Sequence, residues 1–139
     1  MSADIATIAF EFFDACETGQ GWETCSAWCH EGATFSAQTG ALADIDTLEG
    51  YVEWMKALLG PLPDGRYELK SFSADAERQV VTAFGVFRGT HTVEGGPVPP
   101  TGKAAAADYV YAMEFEGERI RHMTKIWNDG QTLVELGWA

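Results

Sequence analysis

Apolar residues recur at helical spacing in the first part of the chain and alternate with polar residues in the second. Positions 5, 8, 9, 12 and 16 predict a helix over Ala3–Glu17, which Gly19 should end. A second short helix is predicted over Trp22–Cys29, and Ala33–Ser36 is predicted as a short strand.

A third helix is expected to start at Asp46-Thr47-Leu48-Glu49, which has the form of a capping box, and to stop at Gly60-Pro61. Beyond this point the hydrophobic period changes to two, which is typical of strands. A last helical turn is predicted after Asn128 or Asp129. The predicted strands are Arg66–Ala74, Gln79–Thr92, Ala104–Phe115 and Glu118–Asn128.

Helices first and an antiparallel meander afterwards predict an α+β domain in which helices cover one face of a curved sheet. Such a sheet closed by helices encloses a cone-shaped cavity. The chain has 139 residues, enough for one full-sized core, so residues 1–139 are expected to form a single domain.

The last two predicted strands are separated only by Glu116-Gly117, which fits a two-residue hairpin turn because Gly accepts a positive φ. This register places Tyr111 opposite His122. It predicts an apolar and aromatic face with a few polar groups, the composition of a ligand pocket wall. That face collects Tyr109, Tyr111, Met113, Ile120, His122, Thr124, Ile126 and Asn128.

The opposite face of the same hairpin would be a surface for a second copy of the chain. In this register it carries ion pairs of Glu114 with Arg119 and of Asp108 with Lys125. Val110, Met123 and Trp127 lie among these charges and supply the apolar contacts. We therefore predict a homodimer that forms through the convex face of the sheet.

Charge and composition exclude several classes of function. The net charge is −12 and the pI is about 4.4, so a phosphate backbone would be repelled and nucleic acid is not expected as a partner. No apolar run approaches the roughly 18 residues that span a bilayer, so no membrane association is expected. Three cysteines, an odd number, indicate a reducing compartment, and a cytoplasmic location is predicted.

No metal or cofactor is expected. Cys25, Cys29 and His30 are close in sequence, but they lack the paired CxxC spacing of a structural zinc site. Gly95-Gly96-Pro97 does not open a helix and so does not form a phosphate loop.

The order of elements resembles that of the SnoaL-like polyketide cyclases. Three patches carry the resemblance: Gly89-Thr90-His91-Thr92, Pro99-Pro100-Thr101-Gly102-Lys103 and Leu136-Gly137. These cyclases have the nuclear-transport-factor-2-like cone fold, which ketosteroid isomerases and scytalone dehydratase share. The resemblance implies a dimeric α+β cone that binds a hydrophobic polycyclic or aromatic molecule without a metal.

In these cyclases an aspartate near the end of the last strand acts as acid and base. Counting back from Gly137 places Asn128 at that position, with Asp129 next to it. Three alternatives follow from the resemblance: Asp129 takes the role after a slip of one residue, the chemistry differs, or there is none. Both residues are also good helix caps.

The candidate catalytic residues are His122, Asp129, Asn128 and Tyr111. His122 would be a general base steadied by Tyr111, and Tyr111 and Asn128 would donate hydrogen bonds to an enolate oxygen. The alternative for His122 is a buried imidazole satisfied by Tyr111 without chemistry.

Six residues are predicted to contact a ligand. The helical aromatics among them could instead be ordinary core residues, and the histidine could simply hold the Gly- and Pro-rich loop. The six are Tyr51, Trp54, Phe87, His91, Tyr109 and Thr124.

The predicted function is that of a small metal-free enzyme of the polyketide cyclase or ketosteroid isomerase type. It would transfer a proton next to a carbonyl group of a small hydrophobic or aromatic compound in a conical pocket. The alternatives are a non-catalytic binding protein of the same fold and a dimerisation module whose cone is filled by side chains.

Overall fold

The computed structural model describes residues 4–139, in which four helices pack on a five-stranded sheet. The helices are α1 (Ile5–Glu17), α2 (Gly21–Cys25), α3 (Leu48–Leu58) and α4 (Asp129–Leu136), with 3-10 turns at Ser26–Trp28 and Gly40–Leu42. The strands are β1 (Cys29–Ala37), β2 (Arg66–Asp75), β3 (Val80–Thr90), β4 (Ala104–Glu116) and β5 (Arg119–Trp127). The predicted α+β architecture is confirmed.

The sheet has the order β1-β5-β4-β3-β2 and is mostly antiparallel. Strands β2 to β5 form a meander, and β1 pairs in parallel with β5 at one edge. Helices α1 and α3 cover one face and bury a core rich in aromatic side chains, which includes Phe12, Phe13, Phe35, Tyr51 and Tyr111. No helix in residues 4–139 has the length and apolarity to cross a membrane.

Helix α1 begins after Asp4, whose carboxylate accepts a hydrogen bond from the Ala6 amide. The predicted start at Ala3 lies outside the described residues. The apolar stripe of α1 is buried as predicted, and the helix ends before Gly19, which has a φ of 75°. The last residue of the helix, Glu17, is also buried, with only 2% of its surface exposed.

The second and third helices differ from the prediction at their ends. The helix predicted over Trp22–Cys29 ends at Cys25. A 3-10 turn follows it, and Cys29 already belongs to β1. Helix α3 is capped by Thr47, whose hydroxyl accepts from the Gly50 amide at 3.1 Å, so the cap lies one residue later than predicted and, with a glycine at the third helical position, no capping box forms. The reason is that the Asp46 carbonyl is engaged by the Phe35 amide of β1.

The predicted register of the last hairpin is wrong. Glu116 pairs with Arg119, so the two turn residues are Gly117 and Glu118, and Gly117 supplies the positive φ of 65°. A bulge follows, in which Arg121 is the extra residue on β5. Tyr111 consequently lies opposite Lys125 and not opposite His122.

This bulge reverses which side chains of β5 face the helices. It lets Ile120 and Met123 both reach the core, with Arg121 and His122 turned to the other side. Lys125 is buried with 6% exposure, whereas Ile126 is 63% exposed. The extra residue therefore exchanges the predicted inner and outer faces of β5 beyond Arg121, while Ile120 keeps its predicted inner position.

Both predicted ion pairs of the hairpin are absent from the described residues. Asp108 is exposed and lies opposite Val86, and Glu114 accepts a hydrogen bond from Arg121 at 3.3 Å. Met123 and Trp127 do not lie on the outer face, whose exposed large apolar residues include Phe84 and Ile126. Dimerisation through this face stays a prediction.

Substitutions on β5 test the bulge directly. We expect Met123→Ala to lower the free energy of unfolding by about 2–5 kcal/mol, because it leaves a cavity in the core. The matched control Ile126→Ala should change it by about 0.5 kcal/mol or less, as exposed positions do. Urea unfolding measures both values. Equal effects, or a larger effect at Ile126, would contradict the observed register.

Candidate functional site

A cavity of about 320 Å³ lies between α3, α4, the sheet and the loop that follows β3. Most of its wall is apolar. The large apolar side chains that line it include Trp54, Leu58, Leu62, Phe87, Trp127 and Leu136. The polar side chains are few and converge from different elements: Glu17 from α1, Tyr109 from β4, Lys125 from β5 and Thr132 from α4.

Glu17 is the acidic group of the cavity. Its carboxylate accepts hydrogen bonds from the phenols of Tyr109 and Tyr111, one on each oxygen. Burial raises the pKa of Glu17, while the charge of Lys125 and the two phenols act in the opposite direction. The carboxyl group is thus closer to exchanging a proton at neutral pH than a solvated glutamate is.

Two further hydrogen bonds connect Glu17 with Lys125. The hydroxyl groups of Tyr51 and Tyr111 are 2.6 Å apart, and the Lys125 amine donates to the Tyr51 hydroxyl at 3.0 Å. A phenol has one hydrogen. Because Tyr111 donates that hydrogen to Glu17, Tyr51 must donate to Tyr111, and every link points from Lys125 towards Glu17. We call Lys125, Tyr51, Tyr111 and Glu17 the buried relay.

Four aromatic rings surround the Lys125 amine. Its nitrogen lies 4.4 Å from the ring centroid of Trp127 and 5.1 to 5.5 Å from those of Tyr51, Trp54 and Tyr109. Burial lowers the pKa of Lys125 to about 8, and the charge of Glu17 opposes this shift. The amine is therefore near its deprotonation point at neutral to mildly alkaline pH.

The phenols of the site stay protonated under the same conditions. Burial is the largest cause of the raised pKa values of Tyr51, Tyr109 and Tyr111, and the negative charge of Glu17 adds to it. Protonated phenols are hydrogen-bond donors. Only Tyr109 of the three lines the cavity, while Tyr51 and Tyr111 are buried behind its wall.

The predicted base His122 lies outside this site. Its ring nitrogens contact the hydroxyls of Thr34 at 2.7 Å and Ser36 at 3.0 Å, on the face of the sheet opposite the helices. Thr124 is its neighbour there and contacts the Ser36 hydroxyl. Neither His122 nor Thr124 lines the cavity, because the bulge turns both outward.

Asn128 and Asp129 take structural positions at the start of α4. The Asn128 side chain caps the helix and accepts from the Gln131 amide at 3.2 Å. The Asp129 carboxylate accepts from the Ala41 amide at 2.8 Å and ties the loop before α3 to α4. Neither side chain lines the cavity. Asn128 therefore acts as a helix cap, which was the alternative to a catalytic role.

The predicted ligand contacts divide into three groups. Trp54, Phe87 and Tyr109 line the cavity, and Tyr51 lies behind it. His91 is fully buried beside the Gly- and Pro-rich loop, where its Nδ1 accepts from the Trp138 indole at 2.9 Å. His91 thus holds the loop against the C-terminal segment.

Neither Glu17 nor Lys125 was predicted from the sequence as a residue of the site. Glu17 follows Phe13 by four residues, so it lies on the edge of the buried stripe of α1, which is a usable signal. Lys125 lies two residues from both Met123 and Trp127, so the three side chains share one face of β5. The sequence identifies this face as the inner one only if the bulge is known. Asp14, on the same helix, accepts a hydrogen bond from Tyr67 at 2.6 Å and does not line the cavity.

Within residues 4–139, no three histidine, cysteine, aspartate or glutamate side chains are grouped to hold a metal ion. Cys25 and Cys29 are buried free thiols, and Cys29 donates to the Cys25 carbonyl at 3.4 Å. Burial raises the pKa of both thiols, so neither is a ready thiolate ligand.

The structure is an α+β fold with an apolar cavity between the helices and the sheet. The sequence profile of the SnoaL-like domain matches residues 9–123, and the chain belongs to that family. The match includes Glu17 and ends two residues before Lys125. No curated protein sequence matches the chain at a significant level.

Solved structures with low sequence identity share the fold. IdmH from Streptomyces antibioticus, a provisionally assigned polyketide cyclase, aligns with a TM-score of 0.78 at 21% identity over 97% of this chain and 99% of its own. AclR from Streptomyces galilaeus, a provisionally assigned hydroxylase, gives 0.74 at 20% identity over 97% and 85%. A provisionally assigned isomerase from Bacillus subtilis gives 0.73 at 14% identity over 99% and 98%.

The ionisation of Lys125 can be measured directly. We expect a lysine side-chain NMR signal that titrates near pH 8 and is absent from Lys125→Arg. Because this native pKa lies below the unfolded value of about 10.4, the native state binds fewer protons between these two pH values, and the contribution of Lys125 to stability grows with pH there. A midpoint at or above about 10.4 would contradict the desolvated setting of the amine.

Proposed function

We propose that this protein is a small cyclase- or isomerase-type enzyme that transfers a proton next to a carbonyl group of a hydrophobic ligand. The observation that carries the proposal is the meeting of the Glu17 carboxyl, the Tyr109 phenol and the Lys125 amine at one apolar cavity. Titratable groups with shifted pKa values in a cleft are candidates for acid–base chemistry.

Glu17 is the group that takes and returns the proton. Its carboxyl is desolvated, which raises its pKa above that of a solvated glutamate and makes it a better proton acceptor. It replaces the residues that the sequence suggested, since His122 and Asp129 do not line the cavity.

Tyr109 and Lys125 stabilise the negative charge that develops on the carbonyl oxygen. The Tyr109 phenol is a protonated donor, and a protonated Lys125 has three hydrogens, of which Tyr51 accepts one. Donors fixed in advance in a water-poor site are the most effective means of stabilising an enolate. These three groups suffice for the reaction, so the proposed step includes no metal or cofactor.

The cavity favours a flat hydrophobic or aromatic carbonyl compound as ligand. Its volume of about 320 Å³ is within the usual range for small-molecule sites of roughly 300–1,000 Å³. Trp54, Phe87 and Trp127 offer aromatic surfaces against which a planar ring can pack. The assignments of the similar structures as cyclase and isomerase agree with this ligand class.

A non-catalytic binding protein is the second candidate. One observation favours it: both oxygens of Glu17 already accept a phenol hydrogen, and the residue is only 2% exposed. A carboxylate satisfied in this way would shape and polarise the cavity without exchanging protons. The filled-cone dimerisation module is not favoured, because the cavity is open.

Exchange of the α hydrogens of β-tetralone in deuterium oxide, followed by proton NMR, tests the proposal with a flat aromatic ketone. We expect the protein to accelerate the exchange and Glu17→Gln to reduce that acceleration about 10²–10⁴-fold, because the amide cannot accept the proton. Glu11→Gln, on the exposed side of the same helix, and His122→Gln should leave it unchanged.

The outcomes of this assay separate the two candidates. Acceleration that survives in Glu17→Gln would contradict the role of Glu17. Binding of β-tetralone in the cavity, with no acceleration by the native protein, would favour the binding protein over the enzyme.

A further inference from the structure

We propose that Lys125 is a nucleophile that binds the carbonyl carbon of the ligand covalently as an imine. The inference rests on the proposed function in one respect: the ligand of the cavity carries a ketone or aldehyde group. It replaces the hydrogen bond from Lys125 to the carbonyl oxygen by a covalent bond to the carbonyl carbon, a step that acid–base transfer at Glu17 alone does not require.

Desolvation of the Lys125 nitrogen favours an uncharged amine. Its nitrogen has one hydrogen-bond acceptor among residues 4–139, the Tyr51 hydroxyl, and otherwise meets the faces of aromatic rings. Lysines desolvated in apolar pockets are the ones that form Schiff bases with carbonyl compounds. The other lysines, Lys56, Lys70 and Lys103, are exposed.

The aromatic rings by themselves would favour the ammonium form, since they attract a cation. The buried relay allows the ammonium group to lose a proton. Its three links all point from Lys125 to Glu17, so one concerted shift of hydrogens moves a proton from the ammonium to the carboxylate. Tyr51 and Tyr111 each give one hydrogen and receive one.

The product of this shift is a neutral amine and a neutral carboxylic acid in the same cavity wall. Both are needed to form an imine. The amine attacks the carbonyl carbon, while the Glu17 acid is placed to protonate the oxygen through the Tyr109 phenol that it contacts. The relay therefore prepares the nucleophile and its acid together, which two separate charged groups would not do.

The atoms of the step balance without an oxidant or reductant. The Lys125 nitrogen forms a bond to the carbonyl carbon, and the C=O double bond becomes a C–OH group. The nitrogen passes one of its two hydrogens to the Glu17 carboxylate, and Glu17 delivers this second proton to the C–OH oxygen, which leaves as water. The nitrogen keeps its other hydrogen as the C=N bond forms, so the product is a protonated imine and Glu17 is again a carboxylate. The resulting iminium withdraws electrons from the neighbouring carbon, so Glu17 can remove its hydrogen more readily.

Reductive trapping tests the covalent step with the same probe. The protein is incubated with β-tetralone and sodium cyanoborohydride, and peptide mapping by mass spectrometry locates the secondary amine. We expect the adduct on Lys125, with each of Lys56, Lys70 and Lys103 modified at least about tenfold less, since none of these three lines the cavity that binds the ketone. Lys125→Arg and Lys125→Met should abolish the cavity adduct, and circular dichroism controls for folding.

Tyr51→Phe tests the relay separately, because Tyr51 does not line the cavity. We expect adduct formation to slow about tenfold at neutral pH and to recover above a pH of about 8, where the desolvated amine loses its proton without the relay. A purely structural role for Tyr51 would lower the rate equally at both pH values, which would contradict the relay.

The exchange assay tests proton transfer, and the trapping assay tests the covalent step. Exchange without a Lys125 adduct overturns the covalent step and leaves the proposed function standing. A Lys125 adduct without exchange supports the covalent step and contradicts proton transfer by Glu17. If β-tetralone gives neither, the covalent step is overturned as well.

Discussion

The site depends on hydrogen bonds that join the buried Glu17 carboxylate to the buried Lys125 amine. Among the described residues these two groups form no direct ion pair. Removing two charges from water is costly, and Coulomb attraction offsets the cost only when hydrogen bonds satisfy the remaining polar atoms. Here two phenols, Tyr51 and Tyr111, bridge Glu17 to Lys125, and Tyr109 satisfies the second oxygen of Glu17. The same bonds that make the charges tolerable also hold them in positions suited to chemistry.

A single backbone irregularity brings these groups together. The bulge at Arg121 turns Lys125 towards the helices and His122 away from them. An unbulged hairpin would have placed an imidazole in the cavity and a lysine on the surface. Strand register therefore decides, as much as residue identity does, which side chains of β5 reach the cavity.

Much of the fold could be predicted from the sequence, whereas the site could be predicted only in part. Hydrophobic period and turn residues give the helices and strands, and Trp54, Phe87 and Tyr109 lie on the cavity side where the pattern put them. The bulge could not be predicted, because alternation within β5 is compatible with either face once one residue is inserted. Glu17 was missed because a charged residue at a helix end is normally solvated, and only its tyrosine partners on a distant strand allow it to be buried.

A double-mutant cycle on Glu17 and Lys125 is the most direct test that the two groups act as one buried unit. Unfolding free energies would be measured in urea for Glu17→Gln, Lys125→Met and the double variant. Because each single change leaves a buried group without its partner, the double variant should lose less stability than the sum of the two, by about 0.5–3 kcal/mol. Additive losses would show that the two groups are independent and would contradict the buried relay.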